Sequence, residues 1–272
     1  NAARALHDPA NEFYGIAWNG QRGMPIANSF MFFLAACQKT IIDMPLRNQE
    51  SWHFDEFEKL KLKINTEDAL EVIDYMKQLV AFSPPDISNI DWEKRINYFM
   101  SGNVGLAYCW TMRAARFEHE LSSRVARRVT YLPPPSRRAQ QISAPIGGFL
   151  MTIPSNVAPS RRRQIMNAIA WMVSPEAMKA HVKNGFPVAP RFSVCADPEA
   201  LASSPIVSMV DRMARRNELV TWARPPVPQF SIIEQALGQE VHNAVFGGKP
   251  PQQALRDAEN AIFAQMNHQA RT

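Results

Sequence analysis

Aromatic residues next to glycine are the ones in this sequence whose types and spacing could do chemistry. Trp18 lies in YGIAWNG, Trp110 closes VGLAYCW, and Phe149 follows Gly147-Gly148 in APIGGFLMTIPSN. Trp222 precedes a run of prolines. An indole or phenyl face is flat and apolar and carries a negative quadrupole. The axial C–H groups of a sugar ring suit such a face, while the ring hydroxyls require polar partners. Trp110 ends a strand, where ligand sites concentrate, and reads as a ligand contact against the competing reading of a core tryptophan. Trp18 stays open between the two. Trp222 reads as packing, because the prolines beside it need an apolar bed. Gly147 and Gly148 weaken the strand they interrupt, so they mark a close approach of backbone, a bulge or tight packing.

Other chemistries leave no comparable mark. There is no G-x-S-x-G elbow, no Walker A and no G-x-G-x-x-G, and Gly247-Gly248-Lys249 lacks the earlier glycine of a phosphate loop. The six histidines never fall four apart on a helix, so neither a metal nor a cofactor is expected. Carboxylate pairs such as Asp55 with Glu58 read as a solvated face. Cys37, Cys109 and Cys195 form no C-x-x-C and allow at most one disulfide. The net charge is +5, but the arginine pairs and triplet carry no nucleic-acid-binding signature, so no nucleic-acid partner is expected. No apolar run approaches a membrane span, and the first residues have no signal-peptide core.

The elements that must position these residues can be outlined from periodicity. Residues 26–36 suit a buried helix starting at Asn28-Ser29. Thr66 caps a helix in which Ala69, Ile73, Met76 and Val80 recur on one face. A helix over 91–101 stops at Gly102, and strands follow at 104–110, 128–133 and 146–153. Beyond them come an amphipathic helix with Ile165, Ala168, Ile169 and Met172 inward, and a helix capped by Ser174 with Pro175 at its first position. Three more follow: 204–218 with Ile206, Met209, Val210 and Met213 inward, 229–246, and 251–268 with Leu255, Ala258 and Ile262 inward. Few strands and many helices make an α/β protein.

Six stretches, in order, resemble one family. They are YGIAWNGQRG with SFMFFLAACQ; TEDALEVIDYMKQLV; FMSGNVGLAYCW, similar to a family segment F-x-x-G-x-x-A-M-x-x-x-W; APIGGFLMTIPSN, similar to G-G-x-x-x-x-I-P; NAIAWMVSPEAMKAHVKNGFPVAPRFSV; and PVPQFSIIEQALGQEVHNAVFGGKPPQQALRDAENAI. Together they cover most of the chain and resemble the extracellular solute-binding proteins of bacterial ABC importers, in the carbohydrate-binding family similar to maltose-binding protein.

The resemblance implies an α/β fold of the type II periplasmic-binding-protein kind, mostly the C-terminal lobe with a remnant of the N-terminal lobe. It implies C-lobe over 1–143, the remnant over 144–197 and C-lobe helices over 198–272. The function implied is capture of a sugar, oligosaccharide or polyol in an interlobe cleft and delivery to membrane permease subunits, at the periplasmic or outer cell face, with no bond made or broken. The ligand-binding residues implied are Trp18, Asn28, Trp110, Gly147, Gly148, Phe149, Arg191 and Gln229. Trp110 would stack on a ring, and Gly147-Gly148 would bring bare peptide groups to the ligand and flex as a hinge. Arg191 would donate charge-assisted hydrogen bonds. Leu106-Ala107-Tyr108 departs from the family's Ala-Met, which reads as a packing change. Family chains also carry a lobe-sized portion, on the order of a hundred residues, ahead of YGIAWNG. Without it the apolar faces of 144–197 are expected to be exposed, and the chain to self-associate or bind sugar weakly. A glycoside-active enzyme, with two carboxylates on one cleft, and a sensory sugar-binding domain are the competing readings.

Overall fold

β1 (Tyr14–Ala17) and β2 (Val104–Ala107) pair in parallel, with Tyr14 opposite Val104, Ile16 opposite Leu106 and Ala17 opposite Ala107. Parallel strands cannot be joined by a tight turn and need a long crossover. Here it carries α2 (Met24–Ala36), α3 (Glu67–Val80) and α4 (Trp92–Met100). These features come from a computed structural model that describes residues 1–43, 61–137, 144–145, 147, 150–220 and 229–269. Gly148, Phe149 and Trp222 lie outside the described residues.

The chain divides by contact into two units: Asn1–Cys109 with Pro134–Pro145 and Val220–Thr272, and Trp110–Pro133 with Ile146–Leu219. These bounds differ from those expected. Residues 110–133 and 198–219 belong with the second unit, where α9 (Pro198–Ser203) and α10 (Pro205–Arg215) pack on α7 (Pro175–Lys183) and α8 (Phe192–Cys195).

In the first unit, α1 (Ala2–Leu6) and α4 lie against the strand pair. The main core is built by α2, α3, α11 (Phe230–Val245) and α12 (Pro251–Gln269). Nine of the thirteen residues of α2 are buried, as befits a helix that is apolar almost all round. It starts earlier than expected. Gly23, at φ +88°, makes the turn, and Pro25 occupies the first helical turn, where its missing N–H costs nothing. Asn28 and Ser29 are therefore inside the helix. In α3 the Thr66 hydroxyl accepts from the Ala69 N–H, and Ala69, Ile73 and Met76 are buried on one face. Leu255, Ala258 and Ile262 of α12 are fully buried. At Gly238 of α11 the backbone of Gly23 comes so close that a Cβ would lie 2.0 Å from the Gly23 carbonyl oxygen.

In the second unit a small core of Val182, Ala189, Val194, Cys195, Ala200 and Val207 sits among α7–α10. Side chains cap three of those helices: Ser174 at α7, Asp197 at α9 and Ser204 at α10, each followed by a proline in the first turn. Lys179 and Lys183 of α7 bridge to Asp197 and Glu199 of α9. Ile206, Met209 and Met213 of α10 are buried as expected. α5 (Ala114–His119) completes this unit together with α6 (Pro159–Met172), which has no buried residue. The inward face expected for α6 is thus absent, and Met166, Trp171 and Met172 are exposed, as are Leu150 and Met151 upstream. Residues 128–133 and 150–153 form no strand. Among the described residues a second short ladder pairs β3 (Ala144–Pro145) with β4 (Leu219–Val220). Pro133-Pro134-Pro135 and Pro154 remove the N–H groups a longer ladder would use.

Candidate functional site

Parallel strands present ligands at their C-terminal ends, where the chain leaves the sheet. In the first unit β1 ends at Ala17 and β2 at Ala107. The residues just beyond are Trp18-Asn19 and Tyr108. Tyr108 is the centre of a polar cluster. Its hydroxyl is hydrogen-bonded to Ser29 Oγ, and Ser29 Oγ donates to the Asn19 carbonyl at 2.8 Å. The Arg95 guanidinium lies over the Tyr108 ring, 4.5 Å from its centroid, and Phe32 stacks on Tyr108 at 4.3 Å and 11°. Burial pushes the Tyr108 phenol up; the nearby Arg95 charge and the Ser29 hydrogen bond work the other way. Asn19 and Arg95 are each only 1% exposed. Both ends of the Asn19 amide, and Nε and Nη1 of Arg95, have no hydrogen-bond partner. Buried polar atoms are nearly always paired, so this group stands apart from the rest of the core.

None of these residues was singled out from sequence. Arg95 sits in WEKRINYFM, where three charged residues in a row read as a solvated helix face. What marks it is that i and i+1 of the helix, Arg95 and Ile96, both turn inward, together with Met100.

The residues that were singled out divide three ways. Trp18 is a core residue and not a ligand contact. It is fully buried, stacked on Phe246 at 6.0 Å and 10°, and its Nε1–H donates to Ser83 Oγ at 2.9 Å, so neither face is open. Asn28 is engaged inside the helical layer: its Nδ2 donates to Glu234 Oε1 at 2.7 Å and to the Met24 carbonyl at 2.9 Å. Gln229 is the residue ahead of α11 and is partly buried there.

In the second unit Trp110 and Gly147 are brought together. A Cβ on Gly147 would stand 2.7 Å from Cη2 and Cζ3 of the indole, so the glycine is required by the ring that lies on it. Trp110 nonetheless remains 36% exposed. Arg191 is exposed, and its Nε donates to the Val173 carbonyl at 2.6 Å, fixing the start of α8 to the end of α6. An open depression of about 410 Å³ in the same unit is lined by Ile153, Pro154, Arg162, Arg163 and Met166 and holds none of the expected residues. Among the described residues no cluster of His, Cys, Asp or Glu suits a metal, and no helix is long and apolar enough to cross a membrane.

The arrangement of strands, helices and chain crossings has known counterparts. An ABC transporter solute-binding protein from Agrobacterium radiobacter K84, solved with ribitol, superimposes over 96% of this chain with a TM-score of 0.79 and 24% identity. The chain shares the fold of the ABC-transporter solute-binding proteins. MalE3 of T. maritima, solved with maltose, matches over 94% at TM-score 0.74 and 17% identity. A solute-binding protein from Agrobacterium vitis S4, solved with D-mannitol, matches over 98% at 0.72 and 19%. The α/β fold of the type II periplasmic-binding kind is therefore that of this chain. The solute-binding fold is not complete here in extent: the chain spans 62%, 62% and 64% of those three proteins. The sequence matches no family model and no curated protein.

Proposed function

We propose that the protein is the substrate-binding component of an ABC importer, holding a sugar, oligosaccharide or polyol reversibly and passing it to membrane permease subunits at the periplasmic or outer cell face. One observation carries this reading: the solute-binding fold extends over 94–98% of the chain in proteins solved with ribitol, maltose and D-mannitol. Those neighbours are binding proteins, and binding without turnover is the activity proposed here. Two sets of residues support it. Tyr108, Asn19, Ser29 and Arg95 gather polar groups at the ends of β1 and β2. Trp110 offers an indole seated on Gly147, with part of its surface open for a sugar ring. The exposed apolar residues of α6 support self-association at the same time.

The experiment is a thermal-shift and calorimetric screen of the chain against ribitol, mannitol, maltose and a panel of monosaccharides at millimolar concentration. A ligand that binds only the folded state at a hundred times its Kd adds about 2.7 kcal/mol of stability. At least one member should raise the Tm, and Trp110→Ala should weaken that member about tenfold, ~1.4 kcal/mol. Absence of any shift across the panel, or hydrolysis of a chromogenic glycoside, would refute the reading.

A further inference from the structure

The Arg95 cluster has an unmet requirement that neutral sugar hydroxyls do not explain. A guanidinium carries a full charge at every accessible pH. Burying it without a carboxylate is costly, and each partnerless buried donor or acceptor adds to that cost. Arg95 is 1% exposed, and two of its three nitrogens are without partners. None of the ion pairs among the described residues includes it; its neighbour Lys94 bridges to Asp86 instead. The Tyr108 face at 4.5 Å offsets only part of that cost.

The partnerless atoms are also of complementary kinds. Arg95 Nε and Nη1 are donors backed by a positive charge. Asn19 supplies one donor, Nδ2, and one acceptor, Oδ1. Positive donors call for an oxyanion, and a donor with an acceptor calls for a hydroxyl, which is both. The cluster lies where β1 and β2 end, and the guanidinium is covered by the Tyr108 ring, whose other face is stacked by Phe32. Both Tyr108 and Phe32 are only partly buried residues, so two stacked rings lie between the guanidinium and the outside.

We infer that Arg95, Asn19 and Tyr108 form a subsite for an oxyanion, and that the solute this protein takes is a polyhydroxylated chain or ring bearing a carboxylate or a phosphate. The inference rests on the solute-binding reading and narrows it from neutral sugars and polyols to acidic ones. Tyr108 moves off the guanidinium, giving up its contact with Ser29, and the anion takes the ring's place as the counterpart of the charge.

Matched pairs test it by calorimetry on the full chain: gluconate against glucitol, and glycerol 3-phosphate against glycerol. The acidic member of at least one pair should bind at least tenfold more tightly at low salt, with the advantage shrinking as salt rises; the pair that responds tells carboxylate from phosphate. Arg95→Met should bring the ratio within that pair to about one. Arg95→Lys, which keeps the charge but loses the planar fork, should cut the ratio within that pair several-fold; it carries the test if Arg95→Met does not fold. If the neutral member of both pairs binds as tightly as its acid, the charge inference fails while the solute-binding reading stands. If no member binds, both fail.

Discussion

Replacing Gly238 with alanine should destabilise the protein, although the same change at an open helical site would help. In a free helix Gly→Ala is worth about 1 kcal/mol in favour of alanine. Here a Cβ would stand 2.0 Å from the Gly23 carbonyl oxygen, 2.5 Å from its carbon and 2.8 Å from its Cα. All three are backbone atoms, so no side chain can rotate away. To reach even 3.0 Å from that oxygen, α11 and the start of α2 must part by about 1 Å. The displacement also stretches the 2.7 Å bond from Asn28 to Glu234, one turn before Gly238 on the same face of α11. Overpacking of this kind costs about 1–3 kcal/mol, and weakening a hydrogen bond to a buried charged group about 1.5–3 kcal/mol. Set against the helical gain, the net loss should be ~2–4 kcal/mol. Urea unfolding monitored by tryptophan fluorescence measures it. A Gly238→Ala protein as stable as the parent, or more so, would show that the two backbones are not in contact, and the packing of α2 on α11 described above would be wrong.

Trp18→Phe should keep the stack on Phe246 but lose the hydrogen bond to Ser83, lowering stability by about 1 kcal/mol in urea unfolding while leaving ligand affinity unchanged; a fall in affinity without a fall in stability would restore Trp18 to the binding surface. Asp197, hydrogen-bonded to Lys179, is held below its ordinary value of 3.8. A carboxyl depressed in the folded state stabilises above its unfolded value and loses that contribution as pH falls through the folded one. Asp197→Asn should therefore flatten the decline in Tm below about pH 4. His242 is shifted in the same direction: burial first, and the Arg22 charge second, hold it below its ordinary 6.5, so the folded protein disfavours its protonation. Stability is then full above that value and declines as pH drops beneath it, and His242→Gln should remove this part of the profile in Tm measured from pH 8 to 5.

Local rules were legible wherever a side chain decides its own neighbourhood. Thr66, Ser174 and the apolar spacing of 69, 73 and 76 gave their helices, because capping and periodicity act within a few residues. What failed was set by partners far along the chain. Residues 128–133 have a strand's composition but no partner to pair with among the described residues, and composition alone makes no ladder. Ile165, Ala168, Ile169 and Met172 have a helix's periodicity, yet none is buried: Ile165 and Ile169 are half-covered and Ala168 and Met172 are exposed. Trp18 stays open in the sequence because an aromatic at a strand end has two fates, and Phe246, more than 200 positions away, decides between them. Arg95 was invisible for the opposite reason. A charged residue in a charged run reads as surface, and only the fold brings Tyr108 across it.

Two early elements of the first unit, β1 and α2, have partners that are made late. β1 waits for Val104, and α2 waits for α11, which begins at Phe230. Residues 146–219 of the second unit, by contrast, run without interruption. During synthesis residues 146–219 can therefore settle while β1 and α2 still lack their partners, and the larger unit closes only once α11 and α12 have been made. Contacts of such sequence span slow the search for the native state, and the interval before α11 is available is when the first unit is most open to capture by a chaperone or a protease.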